Sequence, residues 1–123
     1  MFDWIKNTIN TGIVTFAETN ITFNNLLAKN FADIRWVRVG ISPEKKMLAV
    51  KPVQKKDIES NRYPKDELYK ISIGTSYARI TSKELIRVVS STMKKDIIGS
   101  KFDATYDDAE NMLVINLKKE RID

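Results

Sequence analysis

The chain has 123 residues, enough for one compact domain, and its 42% hydrophobic and 30% charged residues exclude a disordered polypeptide. It holds neither cysteine nor histidine, which removes disulfides, thiolate nucleophiles, zinc–thiolate sites, the usual general base at neutral pH and the commonest transition-metal ligand. A net charge of +5 and a pI near 9.4 favour an anionic partner, nucleic acid or an anionic membrane surface, with plain solubility as the bland alternative.

Residues 1–10 place Phe2, Ile5 and Ile9 near helical spacing with Trp4 beside them, which predicts a short amphipathic helix. They are too few and too polar for a secretory core, and no stretch reaches the roughly 20 apolar residues of a membrane span. Residues 11–52 open with a strand over Gly12-Ile13-Val14-Thr15-Phe16. A helix starting after Thr22 and presenting Leu27, Phe31 and Ile34 follows, and then Val37, Val39 and Ile41 alternate with Trp36, Arg38 and Gly40 as a strand. Ser42-Pro43-Glu44-Lys45-Lys46 turns the chain, because proline has the φ of a type I turn, and Met47-Leu48-Ala49-Val50 returns to close a hairpin.

Residues 53–67 carry equal numbers of acidic and basic side chains and read as a solvated polar connection. Residues 68–119 then repeat the order. Tyr69-Lys70-Ile71-Ser72-Ile73 is a strand, and Gly74-Thr75-Ser76 is a hairpin turn, since it lacks the lysine and glycine spacing of a phosphate-binding loop. Thr81 and Glu84 have the spacing of a capping box. Behind them Leu85, Val88, Val89 and Met93 share one helical face, with Ile86 at its edge and Lys83, Arg87 and Lys94 towards solvent. A last hairpin runs from Lys101-Phe102-Asp103-Ala104-Thr105-Tyr106 through Asp107-Asp108-Ala109-Glu110-Asn111 to Met112-Leu113-Val114-Ile115.

The two stretches align by order and pattern. Ile21-Thr22 corresponds to Ile80-Thr81, Trp36–Ile41 to Lys101–Tyr106, and Met47–Val50 to Met112–Ile115. One unit of about forty residues is too small for its own core, so two must cover each other. The expected fold is α+β: one domain of duplicated strand–helix–hairpin units, as a mixed barrel or a two-layer arrangement with approximate twofold symmetry.

Thr11-Gly12-Ile13-Val14, the capped helix and the hairpin ending at Lys51-Pro52 resemble the swapped-hairpin transcription regulators of the AbrB/SpoVT/MraZ type. Ala78-Arg79-Ile80-Thr81, Lys83-Glu84-Leu85 and Gly99-Ser100-Lys101-Phe102 are similar in the second unit, so the resemblance covers residues 11–52 and 68–119. Both units depart from the family's Ile-Pro before the helix, having Phe23-Asn24 and Ser82-Lys83, and the second is one residue short there. The resemblance implies two interlocked units and DNA contacts from Arg79 and Arg87, with Asn20 and Ala28 at those places in the first unit.

Two basic groups are therefore candidate nucleic-acid contacts. Arg79, Lys83, Arg87, Lys94 and Lys95 surround the second helix, where the bland reading is an ordinary polar helix face. Arg35, Arg38, Lys45 and Lys46 accompany Trp36, which is either a stacking platform or a core residue. Asp103, Asp107, Asp108 and Glu110 suit turn chemistry better than a cation site, so no metal is expected. The functional expectation is a cytoplasmic, non-enzymatic DNA-binding regulator or accessory factor, with no cofactor or small-molecule substrate, acting on double-stranded DNA alone or as a homodimer. The alternative is a protein–protein interaction module centred on Phe2, Trp4 or Tyr63.

Overall fold

A computed structural model describes residues 1–3 and 12–122, so most of the helix expected over residues 1–10 lies outside the described residues. The first half runs β1 (Gly12–Phe16), β2 (Asn20–Asn24), α1 (Asn25–Ala28, extended by a 3-10 turn at Lys29–Phe31), β3 (Trp36–Ser42) and β4 (Met47–Val53). The connection holds α2 (Lys55–Glu59) and a second 3-10 turn (Lys65–Glu67). β5 (Leu68–Ile73), β6 (Tyr77–Thr81), α3 (Lys83–Met93), β7 (Lys101–Asp107) and β8 (Met112–Glu120) complete the chain.

The strands close into a barrel in the order β1-β2-β6-β5-β3-β4-β8-β7, and every ladder in it is antiparallel. Exchanging β1–β4 with β5–β8 leaves that list of neighbours unchanged. The register obeys the same exchange. Ile21 lies opposite Ile80, and Ala49 opposite Val114, while the pairs Leu48–Ile115 and Val50–Leu113 change places. The hairpin turns correspond too, since Lys46 and Asn111 each end a four-residue turn in the left-handed region at φ 53°.

Alternation decides what enters the barrel. Val14, Phe16, Ile21, Phe23, Val37, Val50, Ile80, Leu113 and Ile115 point inwards and are wholly buried. Phe16 meets Phe102 edge-on at 5.6 Å between ring centres, and Phe31 packs between Phe23 and Tyr106 at 5.6 and 6.4 Å. An eight-stranded barrel is narrow enough for side chains to fill it. Ser100 is the one buried polar residue among those described; its backbone oxygen accepts from the Phe16 amide at 3.0 Å.

The helices begin later than their sequence signals. Thr22 and Phe23 are held in the ladder against β6, so α1 starts at Asn25, capped by the Asn24 side chain on the Leu27 amide. Thr81 is likewise held opposite Asn20, so the cap of α3 is Ser82, whose Oγ accepts from the Leu85 amide at 3.1 Å. Glu84 does not complete a capping box; it turns to Arg87 at 3.3 Å. The later start also rotates the buried stripe of α3. Leu85, Ile86 and Val89 are buried, whereas Val88 is 44% exposed.

α1 packs on β1, β2 and β6, and its Leu27 presses on Gly12. A Cβ on Gly12 would run into the Leu27 side chain and stand 2.6 Å from the Ala104 carbonyl oxygen. Gly12→Ala should therefore lower the urea midpoint clearly. Phe23→Ala should cost about 3–5 kcal/mol, the usual range for emptying a phenylalanine site in a core. Chemical denaturation followed by far-UV circular dichroism measures both, and near-wild-type midpoints would contradict this packing.

Candidate nucleic-acid interface

β2 and β6 form a two-stranded ribbon on the barrel wall. Ile21, Phe23, Ala78 and Ile80 fill its inner side with no exposure at all. The pleat therefore turns Asn20, Thr22, Asn24, Tyr77, Arg79 and Thr81 outwards. Across the ribbon Asn20 faces Thr81, Thr22 faces Arg79 and Asn24 faces Tyr77. None of the six is acidic and each has a hydrogen-bonding group. Because the strands are antiparallel, α1 leaves one end of the ribbon and α3 the other.

Arg79 is exposed and makes no ion pair among the described residues; its guanidinium carbon lies 5.0 Å from the centre of the Tyr77 ring. That ring occupies the place where Gly74 would carry a side chain, since a Cβ there would stand 2.5 Å from it. Thr22 donates its hydroxyl to the Asn20 side-chain oxygen at 3.0 Å.

α3 borders an open groove of about 600 Å³ that reaches the β1–β2 turn at Glu18. Lys83, Arg87, Lys94 and Lys95 line it, with Ser90 and Ser91 between them and with acid from Glu18 and Asp96. The Ser82 amide donates to the Thr19 carbonyl at 2.9 Å, so the groove begins where the ribbon ends. Among the described residues Lys83 and Lys94 make no ion pair. Arg87 is tied to Glu84 at 3.3 Å and Lys95 to Glu120 at 3.2 Å. Exposed pairs of this kind are worth roughly 0.2–1 kcal/mol and exchange readily for a phosphate.

The structure sets one predicted group along β6 and α3 and the other along β3. Arg79, Lys83, Arg87, Lys94 and Lys95 lie along the ribbon and α3. Arg35 and Arg38 stand at the start of β3, whereas Lys45 and Lys46 occupy the turn beyond its far end, about 20 Å away along a seven-residue strand. Arg38 is committed elsewhere: it bonds Glu67 at 2.7 Å and stacks on Tyr63 at 4.2 Å. The Glu67 hydrogen bond raises its already high pKa. Trp36 lies outside the barrel, half-buried between two crevices that share Ile58 of α2.

Phe2 is 81% exposed, Trp4 lies outside the described residues, and Tyr63 is half-buried beneath Arg38. Asp107 accepts from the Ala109 and Glu110 amides at 3.0 and 3.2 Å, and Asp103 bonds Arg121 at 2.6 Å. Among the described residues no group of three acidic side chains is placed to hold a metal, and no helix is long and apolar enough to cross a membrane. Thr22, Tyr77 and Thr81 escaped the sequence reading as neighbours of Arg79 on the ribbon face. Their signal was the alternation around Ile21–Phe23 and Ala78–Ile80, which assigns them all to one outer face. Comparison of the chain with protein-family models, with curated proteins and with solved structures returns no match.

At the end of the groove Ser100 first, and then the Lys95 ammonium, hold the Glu120 carboxyl below the usual glutamate range. A depressed carboxylate contributes stability above its unfolded pKa and loses it as pH falls through the folded value. Lys95→Met should move the Glu120 midpoint upwards in a carboxyl NMR titration, and a fixed midpoint would count against the contact.

Proposed function

We propose that this chain is a non-enzymatic, cytoplasmic DNA-binding protein, a regulator or accessory factor, built from two copies of one strand–helix–hairpin unit. The duplication is supported by a strand order and register that survive exchange of the halves, and by matching left-handed turn residues at Lys46 and Asn111. A non-enzymatic role is supported by a sequence without histidine or cysteine, the usual general base and the thiolate nucleophile.

One observation carries the DNA reading: an outward ribbon face without a carboxylate, centred on an unpaired Arg79 and continued by the cations of α3. The major groove of duplex DNA admits a helix or a two-stranded ribbon. Arginine suits guanine edges, asparagine suits adenine, and a threonine methyl suits thymine. Lys83, Arg87 and Lys94 supply the phosphate contacts that fix orientation. The resemblance to swapped-hairpin regulators favours the same side chains, Arg79 and Arg87.

Binding to duplex DNA should weaken steeply with salt as phosphates release counterions. Arg79→Ala combined with Arg87→Ala should abolish retention on DNA at moderate salt while leaving the circular dichroism spectrum unchanged. Glu84→Gln, which frees Arg87, should tighten binding and steepen the salt dependence. Fluorescence anisotropy across a salt series reads both, and wild-type binding by the double variant would remove this assignment.

A protein partner is the second reading. It is favoured by exposed apolar side chains, Leu26 of α1 at 41%, Ile73 of β5 at 44% and Tyr77 of β6 at 36%. In that case capture would be insensitive to both salt and nuclease.

A further inference from the structure

Resting on the DNA-binding reading, we infer that the cations that hold duplex DNA come from the second half alone, so that its target lacks dyad symmetry. The exchange that relates the halves passes through the Ile21–Ile80 pair. It places Asn20 where the second half has Arg79, Asn24 where it has Lys83, and Ala28 where it has Arg87. Each of these three cations therefore has a neutral counterpart.

The helices differ in the same direction. α3 has eleven residues and exposes Lys83 and Arg87, while α1 has four, Asn25–Ala28, with no charge. Ala28 is only 7% exposed, so its place offers no side chain to a phosphate. Lys29, just beyond α1, is the single cation of residues 24–31. At this end the surface is apolar instead, with Leu26 and Tyr77 exposed.

Symmetric regulators read inverted repeats because each half presents the same side chains to its half-site. Here the twofold arrangement of the backbone is kept and that of the charges is lost. Asn20 and Arg79 are diagonal neighbours across the ribbon, roughly 7–8 Å apart. Any two half-sites would thus abut within about two base-pair steps of 3.4 Å. A short asymmetric motif of about 5 base pairs, half a helical turn, is what one cation-bearing half can cover.

Selection of bound duplexes from a random-sequence pool by the full-length chain, followed by footprinting, tests this. An enriched motif without an inverted repeat, protected around one contact region, is the expected result. Enrichment of an inverted repeat protected equally on both sides would overturn the inference and leave DNA binding standing. No enrichment, together with salt-insensitive anisotropy on duplex DNA, would overturn both. Asn20→Arg supplies the missing counterpart of Arg79. It should raise affinity for the motif joined to its own inverted copy by about tenfold more than it raises affinity for the single motif. Equal affinities of this variant and the wild type for the joined motif would also count against the inference, provided the variant keeps its circular dichroism spectrum.

Discussion

Closure of the barrel depends on four ladders that join one half of the chain to the other, β2 with β6, β4 with β8, β1 with β7 and β3 with β5. Neither half can satisfy its own backbone. Without β6 and β8, β2 and β4 would each present a row of bare amides and carbonyls, which is costly when buried and adhesive when exposed. β1–β7 and β3–β5 then complete the ring, so no strand edge remains open. Every outward residue discussed above owes its position to this closure. The pleat that buries Ile21 and Ile80 leaves Arg79 only one direction in which to point.

The same closure separates what the sequence makes legible from what it does not. Strand order within each half is a local property, carried by alternation and by turn residues, and the hairpins around Pro43 and Asp107 form as expected. Contacts between the halves have no local signal. Nothing near Thr22 announces that it will face Arg79, fifty-odd residues away, although the alternation fixes which side of its strand it occupies. Helix starts fail for the same reason. Thr81 has the chemistry of a cap, but the ladder claims its backbone first, and the cap passes to Ser82. Trp36 is a further case: Val37 takes the interior, and the tryptophan is sent outside to meet Ile58.

Of the two basic groups, one is set on consecutive elements, β6 and α3. Arg79 ends up near α3 because β6 runs directly into that helix. The other group was close in sequence but is spread along the length of β3, and its best-placed member is locked to Glu67 and Tyr63. Proximity along a strand is a poor guide to a shared surface. Residues two apart share a face, yet each step of two adds nearly 7 Å. Proximity in a strand–turn–helix segment is a better guide, because the chain reverses direction within a few residues.

Charge separates the halves more sharply than strand order does. Positions exchanged by that strand order are buried alike: Val37 and Phe102 are inside, as are Val50 and Ile115. Outward positions carry no such constraint, so Asn20 and Arg79, or Trp36 and Lys101, can differ without cost to packing. Two halves of one chain have this freedom and the subunits of a homodimer do not, since one gene copy writes both surfaces of a homodimer. The hydrocarbon interior therefore holds the symmetry, while the solvated skin is free to become one-sided.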